Sequence, residues 1–236
     1  MRAILPAALL AALVATPASA AERSIGIGSF DRLRVEGPFE VRVATGTSPR
    51  VTISGDAAAI ERVAIRADGR TLVVRGATDG WGERPTRTGA AEAEPLVVTL
   101  STPSLAAITS TGGGRITTGA LKGDRVDLSV SGAGAILAEG AAAADVNMLV
   151  VGAGTIQITG RTTRARLTVN GPGGIDAAAL DAGDVVVTVA GTGETRARAR
   201  YTARVSNAGL GRVAILGAGK CTVTPATAPV TCESGR

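Results

Sequence analysis

Three arginines alternate with alanine near the end of the chain, at Arg196, Arg198 and Arg200. Alternate residues of an extended strand point the same way about 6.6 Å apart, so this spacing predicts a row of guanidinium groups. Guanidinium groups bind phosphate and carboxylate groups, which makes the row a candidate site for anionic polysaccharides or lipid head groups. An alternative stays open, in which Arg196 pairs with Asp176 and Arg204 pairs with an aspartate about one repeat earlier, Asp184.

The composition excludes several common chemistries. The chain of 236 residues has no histidine, which excludes Ser-His-Asp triads and histidine-ligated metal or haem. It has one Trp, one Tyr and two Phe, too few rings to stack a nucleic-acid strand. The Gly209-Leu210-Gly211 pattern resembles a dinucleotide fingerprint, but it belongs to an internal repeat and opens no helix. We predict no cofactor, no metal site and no nucleic-acid partner.

Two cysteines, Cys221 and Cys232, lie near the C-terminus. They lie in two short segments rich in β-forming residues, separated by Ala226-Thr227-Ala228. Cysteines of exported proteins pair in an oxidising compartment. We therefore predict a disulfide that closes a C-terminal hairpin over residues 221–236.

The N-terminus has the pattern of a secretory signal peptide. Arg2 is followed by an apolar stretch over residues 4–14, and Ala18-Ser19-Ala20 has the small residues of a cleavage site. This pattern predicts a signal peptide over residues 1–20. No later apolar stretch approaches the roughly 20 residues that a membrane-spanning helix needs. We expect an exported protein without a membrane span. The periplasm is its expected location, and the cell surface and secretion are the alternatives.

An internal repeat organises most of the chain. A Gly-x-Gly pattern recurs at intervals of 18 to 20 residues, and alternating apolar residues flank each copy. Alternation with a period of two predicts strands, and a repeat of about 20 residues predicts a solenoid. The sequence thus predicts an all-β fold, a right-handed β-helix whose rungs occupy residues 96–220. The first glycines of the repeats are Gly112, Gly132, Gly152, Gly171, Gly191 and Gly209.

Residues 21–95 have a different pattern and no Gly-x-Gly repeat. Apolar residues alternate with charged ones over residues 33–43, which predicts further strands. A short helix is predicted over residues 57–65, with Asp56 as the N-cap and Ile60, Val63 and Ala64 on its buried face. Residues 77–95 are rich in Gly, Pro, Thr and charge, which predicts a mobile loop. We interpret residues 21–95 as a β-rich segment that caps the solenoid.

Several segments resemble the head GIN domain family. They are FDRLRVEGPFEVRV at residues 30–43, Gly55-Asp56, LVV at 72–74, LVVTL at 96–100 and PSL at 103–105, followed by the glycine repeats. The family is described as auto-transporter adhesins of the bacterial envelope, and the resemblance implies a β-helical fold. The shared motifs are structural, so the resemblance implies no catalytic or binding residue.

These observations predict an exported, non-enzymatic protein of the bacterial cell envelope with an adhesin-like or scaffolding role. In that setting the partner of the arginine row would be anionic envelope polysaccharide or lipid head groups. The alternative is a β-helix enzyme, a lyase or glycoside hydrolase acting on an acidic polysaccharide, because carboxylates and arginines can catalyse such reactions without histidine. That enzyme would need two acids on one outward column beside a cleft.

Overall fold

A computed structural model describes residues 21–76, 96–217 and 219–233. The protein is nearly all β and forms a β-solenoid of about six turns, as the repeat predicts. The predicted signal peptide, residues 1–20, and the predicted mobile loop, residues 77–95, lie outside the described residues. Within the described parts of the chain, no helix is long and apolar enough to cross a membrane.

The first seven strands and the helix α1 (Ala57–Glu61) precede the glycine repeats. The strands are β1 (Ala21–Ile25), β2 (Arg32–Glu36), β3 (Glu40–Thr45), β4 (Arg50–Gly55), β5 (Val63–Asp68), β6 (Thr71–Gly76) and β7 (Val97–Thr102). The repeats form longer strands, several of which continue around a bend. They are β8 (Ala107–Gly112), β9 (Arg115–Thr118), β10 (Lys122–Gly132), β11 (Ala135–Val151), β12 (Thr155–Asn170), β13 (Gly174–Val189), β14 (Thr195–Asn207), β15 (Val213–Leu216), β16 (Lys220–Ala226) and β17 (Val230–Glu233).

Successive turns stack as two parallel ladders on either side of the glycine corner. The long ladder contains, in stacking order, β6, β2, β8, β10, the C-terminal parts of β11 to β14, and β16. The short ladder contains β7, β3, β9, the N-terminal parts of β11 to β14, β15 and β17. Because every turn repeats the same path, equivalent residues lie about 4.8 Å apart along the solenoid.

Aliphatic columns fill the interior of the solenoid. On the long ladder, Val130 lies opposite Val150, which lies opposite Val169, and all three are buried. On the short ladder, Ile116, Ile136 and Ile156 stack in the same way. A narrow interior filled by stacked aliphatic side chains leaves little room for aromatic rings, which accounts for the composition.

The two glycines of the Gly152-Ala153-Gly154 corner have different roles. Gly152, the first of its pair, has a φ of +105°, which favours glycine. Gly154, the second, stacks so closely that a Cβ atom there would lie 2.7 Å from the carbonyl oxygen of Gly134. The corner therefore needs a positive φ at its first position and close backbone stacking at its last.

The N-terminal segment is only partly a cap. Strands β2 and β3 form a complete turn between the β6–β7 turn and the β8–β9 turn, with Gly37 at its corner. Among the strands that the structure describes, antiparallel pairing is confined to β1 on β4, β4 on β7, and β5 on β6. The predicted boundary at residue 95 therefore does not coincide with the start of the solenoid. The β2–β3 turn lacks the Gly-x-Gly signature, so the repeat pattern does not reveal it.

The helix begins where the sequence predicts. The Asp56 side chain accepts a hydrogen bond from the Ala59 amide at 3.0 Å, and Ile60 is buried. The helix ends at Glu61, and Val63 begins β5, where it lies opposite Gly76. The predicted continuation of the helix to Ile65 is replaced by strand pairing, which suits the β-branched Val63 and Ile65 better.

The C-terminal segment forms a disulfide, but it is not a hairpin. Cys221 and Cys232 are bonded. Strand β16 pairs in parallel with β14, and β17 pairs in parallel with β15. The predicted hairpin is therefore corrected to a last solenoid turn. Cys221 lies opposite Ala203 and Cys232 opposite Ile215, both buried, so the disulfide spans the end of the hydrophobic interior.

Candidate functional site

The three arginines of the predicted row, Arg196, Arg198 and Arg200, are exposed, but their surroundings differ. They alternate with buried Thr195, Ala197 and Ala199, as expected for one side of a strand. Arg198 Nε donates a hydrogen bond to the carbonyl oxygen of Ala178 at 3.0 Å. Arg200 forms an ion pair with Asp181, with Nε and Oδ1 3.2 Å apart. Arg196 and Arg200 line two separate hollows, so the row does not form one continuous anion site.

Neither ion pair of the alternative scheme forms, although one of its two register positions is correct. Asp176 lies directly opposite Arg196 in the parallel register. Asp184, however, lies opposite Thr202, whose hydroxyl donates a hydrogen bond to it at 2.5 Å. Arg204 lies opposite Val186 instead. Two register shifts between β13 and β14 cause this difference, and a constant repeat length does not predict them.

The first hollow, which we call the short-ladder hollow, lies beside the glycine corners of three turns. Its volume is about 480 Å³. Gln157, Asp176 and Arg196 stack along one outward column there, each opposite the next in the register. The lining residues are Ala153, Thr155, Ile156, Gln157, Pro172, Gly173, Gly174, Ile175, Asp176, Glu194 and Arg196.

Close backbone stacking creates the floor of this hollow. A Cβ atom on Gly173 would lie 2.2 Å from the Gly154 carbonyl oxygen, and one on Gly174 would lie 2.4 Å from that of Glu194. Both positions therefore carry glycine, and no side chain fills the space above them. The longer polar side chains around these glycines consequently border an open depression.

The polar groups of the short-ladder hollow are largely unpaired. Among the described residues, the side chains of Gln157, Glu194 and Arg196 have no hydrogen-bond or ion-pair partner. Asp176 Oδ1 accepts one hydrogen bond, from the amide of Ala178 at 3.1 Å. Asp176 and Arg196 are register neighbours of opposite charge, yet no ion pair joins them. Hydrogen-bond donors and acceptors, both neutral and charged, thus remain available to a ligand.

The second hollow, which we call the bend hollow, lies where the strands turn between the short and long ladders. Its volume is about 410 Å³. Asp181 forms ion pairs with Arg161 at 3.3 Å and with Arg200 at 3.2 Å, so two guanidinium groups from different turns share one carboxylate. The lining residues are Gly123, Ala142, Ala143, Ala144, Arg161, Thr162, Thr163 and Arg200.

Charges alternate in sign beside the bend hollow. Arg125, Asp145, Arg164 and Asp184 occupy one register column on successive turns. Arg164 donates two hydrogen bonds to Asp145, at 2.7 and 2.8 Å. The hydrogen bond from Arg164 is the main reason that the pKa of the Asp145 carboxyl lies below its usual range. The same bond raises the pKa of Arg164. Within this column one ion pair forms, between Arg164 and Asp145, while Arg125 pairs with Asp127 and Asp184 accepts a hydrogen bond from Thr202.

The sequence does not reveal which polar residues converge. Asp176 and Arg196 are 20 positions apart, so the repeat length alone could have placed them side by side. Gln157 carries no charge and Glu194 lies just beyond a glycine corner, and no pattern distinguishes either residue. Within the described residues, no group of three or more acidic or cysteine side chains could hold a metal ion.

The fold and these sites can now be compared with known proteins. The family described as "Putative auto-transporter adhesin, head GIN domain" matches residues 29–219. The chain belongs to the head GIN domain family. No curated protein matches the chain.

Solved structures share the fold of this head GIN domain protein. A putative adhesin from Bacteroides fragilis has a TM-score of 0.79 at 17% identity, covering 92% of this chain and 97% of that one. A putative lipid binding protein from Parabacteroides distasonis has a TM-score of 0.65 at 15% identity, covering 93% and 96%. A putative adhesin from Parabacteroides merdae has a TM-score of 0.63 at 15% identity, covering 92% and 96%. At these identities, the similarity establishes the fold of the head GIN domain.

Proposed function

We propose that this protein is an exported, non-enzymatic component of the bacterial envelope, with an adhesin-like role, that binds glycan in the short-ladder hollow. The observation that carries the proposal is the set of polar side chains around the hollow that form no ion pair, Gln157, Asp176, Glu194 and Arg196. Sugar hydroxyl groups both donate and accept hydrogen bonds. Amide, carboxylate and guanidinium groups on a rigid frame complement them.

The location of the hollow supports the same proposal. Its volume of about 480 Å³ lies within the usual range for small-ligand sites. It lies on an outward side of a stacked sheet, so a polymer can continue past it in both directions. Backbone stacking fixes the Cα positions of the lining residues, which lowers the entropy that would be lost on binding.

Three observations support export and an envelope location. Residues 1–20 have the pattern of a signal peptide. The disulfide between Cys221 and Cys232 is typical of proteins that mature in an oxidising compartment. The family is described as adhesins, and two of the solved relatives carry that description.

Retention on immobilised envelope polysaccharide tests the proposed function. We expect the wild-type protein to be retarded at physiological salt, and Gln157→Ala and Asp176→Asn each to reduce retention at least about tenfold. Gln157→Ala removes a hydrogen bond from a preorganised site, and Asp176→Asn replaces a charged acceptor by a neutral amide. Arg115→Gln is the matched control, since Arg115 is exposed on the same ladder outside the hollow. Equal retention of all four proteins, or retention only on phospholipid vesicles, would contradict the proposal.

One observation favours the enzymatic alternative. Asp176 and Glu194 are two carboxylates beside one hollow, as a glycoside hydrolase requires. Such an enzyme would release new reducing ends from the bound polysaccharide, and Asp176→Asn and Glu194→Gln would each abolish that release. A binding protein releases none on prolonged incubation. Glu194→Gln therefore separates the two functions, because in a binding protein it changes retention alone.

A further inference from the structure

The bend hollow has two guanidinium groups at its rim and small residues on its floor. We propose that it binds the carboxylate of an acidic sugar residue between Arg161 and Arg200, with the sugar ring against the small residues of the floor. This site is separate from the short-ladder hollow and shares no lining residue with it. The inference therefore does not rest on the proposed function of that first hollow.

The charge balance at the rim favours an anion. Two guanidinium groups face one carboxylate, Asp181, so one positive charge is left uncompensated. Arg161 is 76% exposed and can turn toward a ligand, whereas Arg200 is 39% exposed. The Arg200 guanidinium also lies over the ring of Tyr201, 5.3 Å from its centroid, which helps to fix its position. In the unbound protein, Asp181 forms ion pairs with both arginines, and an incoming carboxylate would replace it.

The floor of the hollow explains why a sugar fits. Two preceding turns present only Gly123, Ala142, Ala143 and Ala144, and these small residues leave a shallow apolar surface below the arginines. Arg161 lies directly opposite Ala142 in the register, so the guanidinium groups stand at one side of this surface. The C–H face of a sugar ring can pack on the alanines while Thr163 and the arginines bind its polar groups.

The surroundings disfavour an anionic membrane as the partner. Asp145 and Asp184 belong to a register column outside the lining of the hollow, and the charges along that column alternate in sign. A bilayer surface would meet this column of balanced charge together with the two arginines and would gain no net attraction from the column. A single acidic sugar approaches the arginines alone. The observations therefore favour an acidic glycan over lipid head groups.

Calorimetric titration with oligogalacturonate, an acidic sugar chain, tests this inference. We expect Arg161→Gln and Arg200→Gln each to weaken binding at least about tenfold, because each removes a charge-assisted hydrogen bond. Asp181→Asn should strengthen binding several-fold, because it removes the competing carboxylate. Binding to the wild-type protein should weaken as salt increases. Arg164→Gln is the matched control: it removes a charge from the same side of the protein but outside the hollow, and we expect unchanged affinity.

Three results would overturn the inference. One is affinity that Arg161→Gln and Arg200→Gln leave unchanged, and another is equal weakening by Arg164→Gln, which would indicate a diffuse charge effect. The third is binding to phosphatidylglycerol vesicles with none to the oligosaccharide. Melting curves identify any variant that fails to fold, and the gain expected for Asp181→Asn cannot arise from unfolding. Gln157→Ala should leave this binding intact, so failure here is distinguishable from failure of the short-ladder site.

Discussion

At the scale of single residues, the stacked turns give chemically similar side chains different roles. Asp145 and Asp176 both lie one turn from an arginine, in register with Arg164 and Arg196 respectively. Asp145 is bound by its arginine, whereas Asp176 is not. A surface ion pair stabilises a protein little. We therefore infer that Asp176 and the other polar side chains of the short-ladder hollow contribute to binding more than to stability.

The Asp145–Arg164 pair predicts a pH-dependent contribution to stability. The pKa of Asp145 is lower in the folded protein than its usual value, so its contribution is fully present at neutral pH and is lost as the pH falls below about 4. Asp145→Asn should lower Tm by about 1–2 °C at pH 7, and the difference from wild type should shrink toward pH 2.5. Thermal melts across this range measure it. Asp124→Asn, the control, removes an exposed carboxylate outside the pair, and a pH-independent gap for Asp145→Asn would contradict the prediction.

Neighbouring valines test which side chains face the interior. Val150 is fully buried, whereas Val151 is 41% exposed. Val150→Asp should destabilise the fold by more than about 4 kcal/mol, because it places an unpaired charge among stacked aliphatic residues. Val151→Asp should melt within a few degrees of wild type. Soluble yield and thermal melting of the two variants provide the measurement, and similar behaviour of both would show that the assignment of inside and outside is wrong.

At the scale of elements, the unit of the fold is one turn with a glycine corner. Each turn contacts mainly the turns before and after it, so stability is expected to accumulate from neighbour to neighbour. The corners and the last turn are the places where this repetition is most constrained.

Gly152 should not tolerate a side chain. Its φ is +105°, and a Cβ atom would lie 2.9 Å from the Gly132 carbonyl oxygen. Gly152→Ala should therefore cost about 1–3 kcal/mol of unfolding free energy. Gly26→Ala is the control, because nothing lies within 4 Å of a Cβ atom there. Denaturant unfolding measures both, and equal stability of the two variants would contradict the proposed role of the corner.

The disulfide should stabilise chiefly the last turn. It closes a short loop, with a sequence separation of 11, so replacing both cysteines by serine should cost about 2–3 kcal/mol. Hydrogen exchange should accelerate in β16 and β17 and stay unchanged in β11 and β12, because the turns are only locally coupled. Uniform acceleration along the whole solenoid would show instead that the protein unfolds as one unit.

At the scale of the whole molecule, the repeat predicts the architecture but not the sites. The spacing of Gly132 and Gly152 and the alternation around Val150 are enough to predict stacked strands and an aliphatic interior. The β2–β3 turn and the parallel pairing of β16 depend on contacts between distant segments, and no local pattern encodes them. The pairing around the bend hollow contains register shifts, such as the one that places Asp181 opposite Arg198. Such register shifts depart from the repeat length, and the repeat length is what allows residue positions to be predicted from the sequence.

The central claim is that the short-ladder hollow is where this protein meets envelope glycan. The most direct test is nuclear magnetic resonance of the labelled protein titrated with envelope oligosaccharide, followed residue by residue. The account predicts that the largest shift changes fall on Thr155, Gln157, Asp176, Glu194 and Arg196, the polar lining of the hollow. Changes confined to the outer side of the long ladder, or none at saturating oligosaccharide, would contradict it.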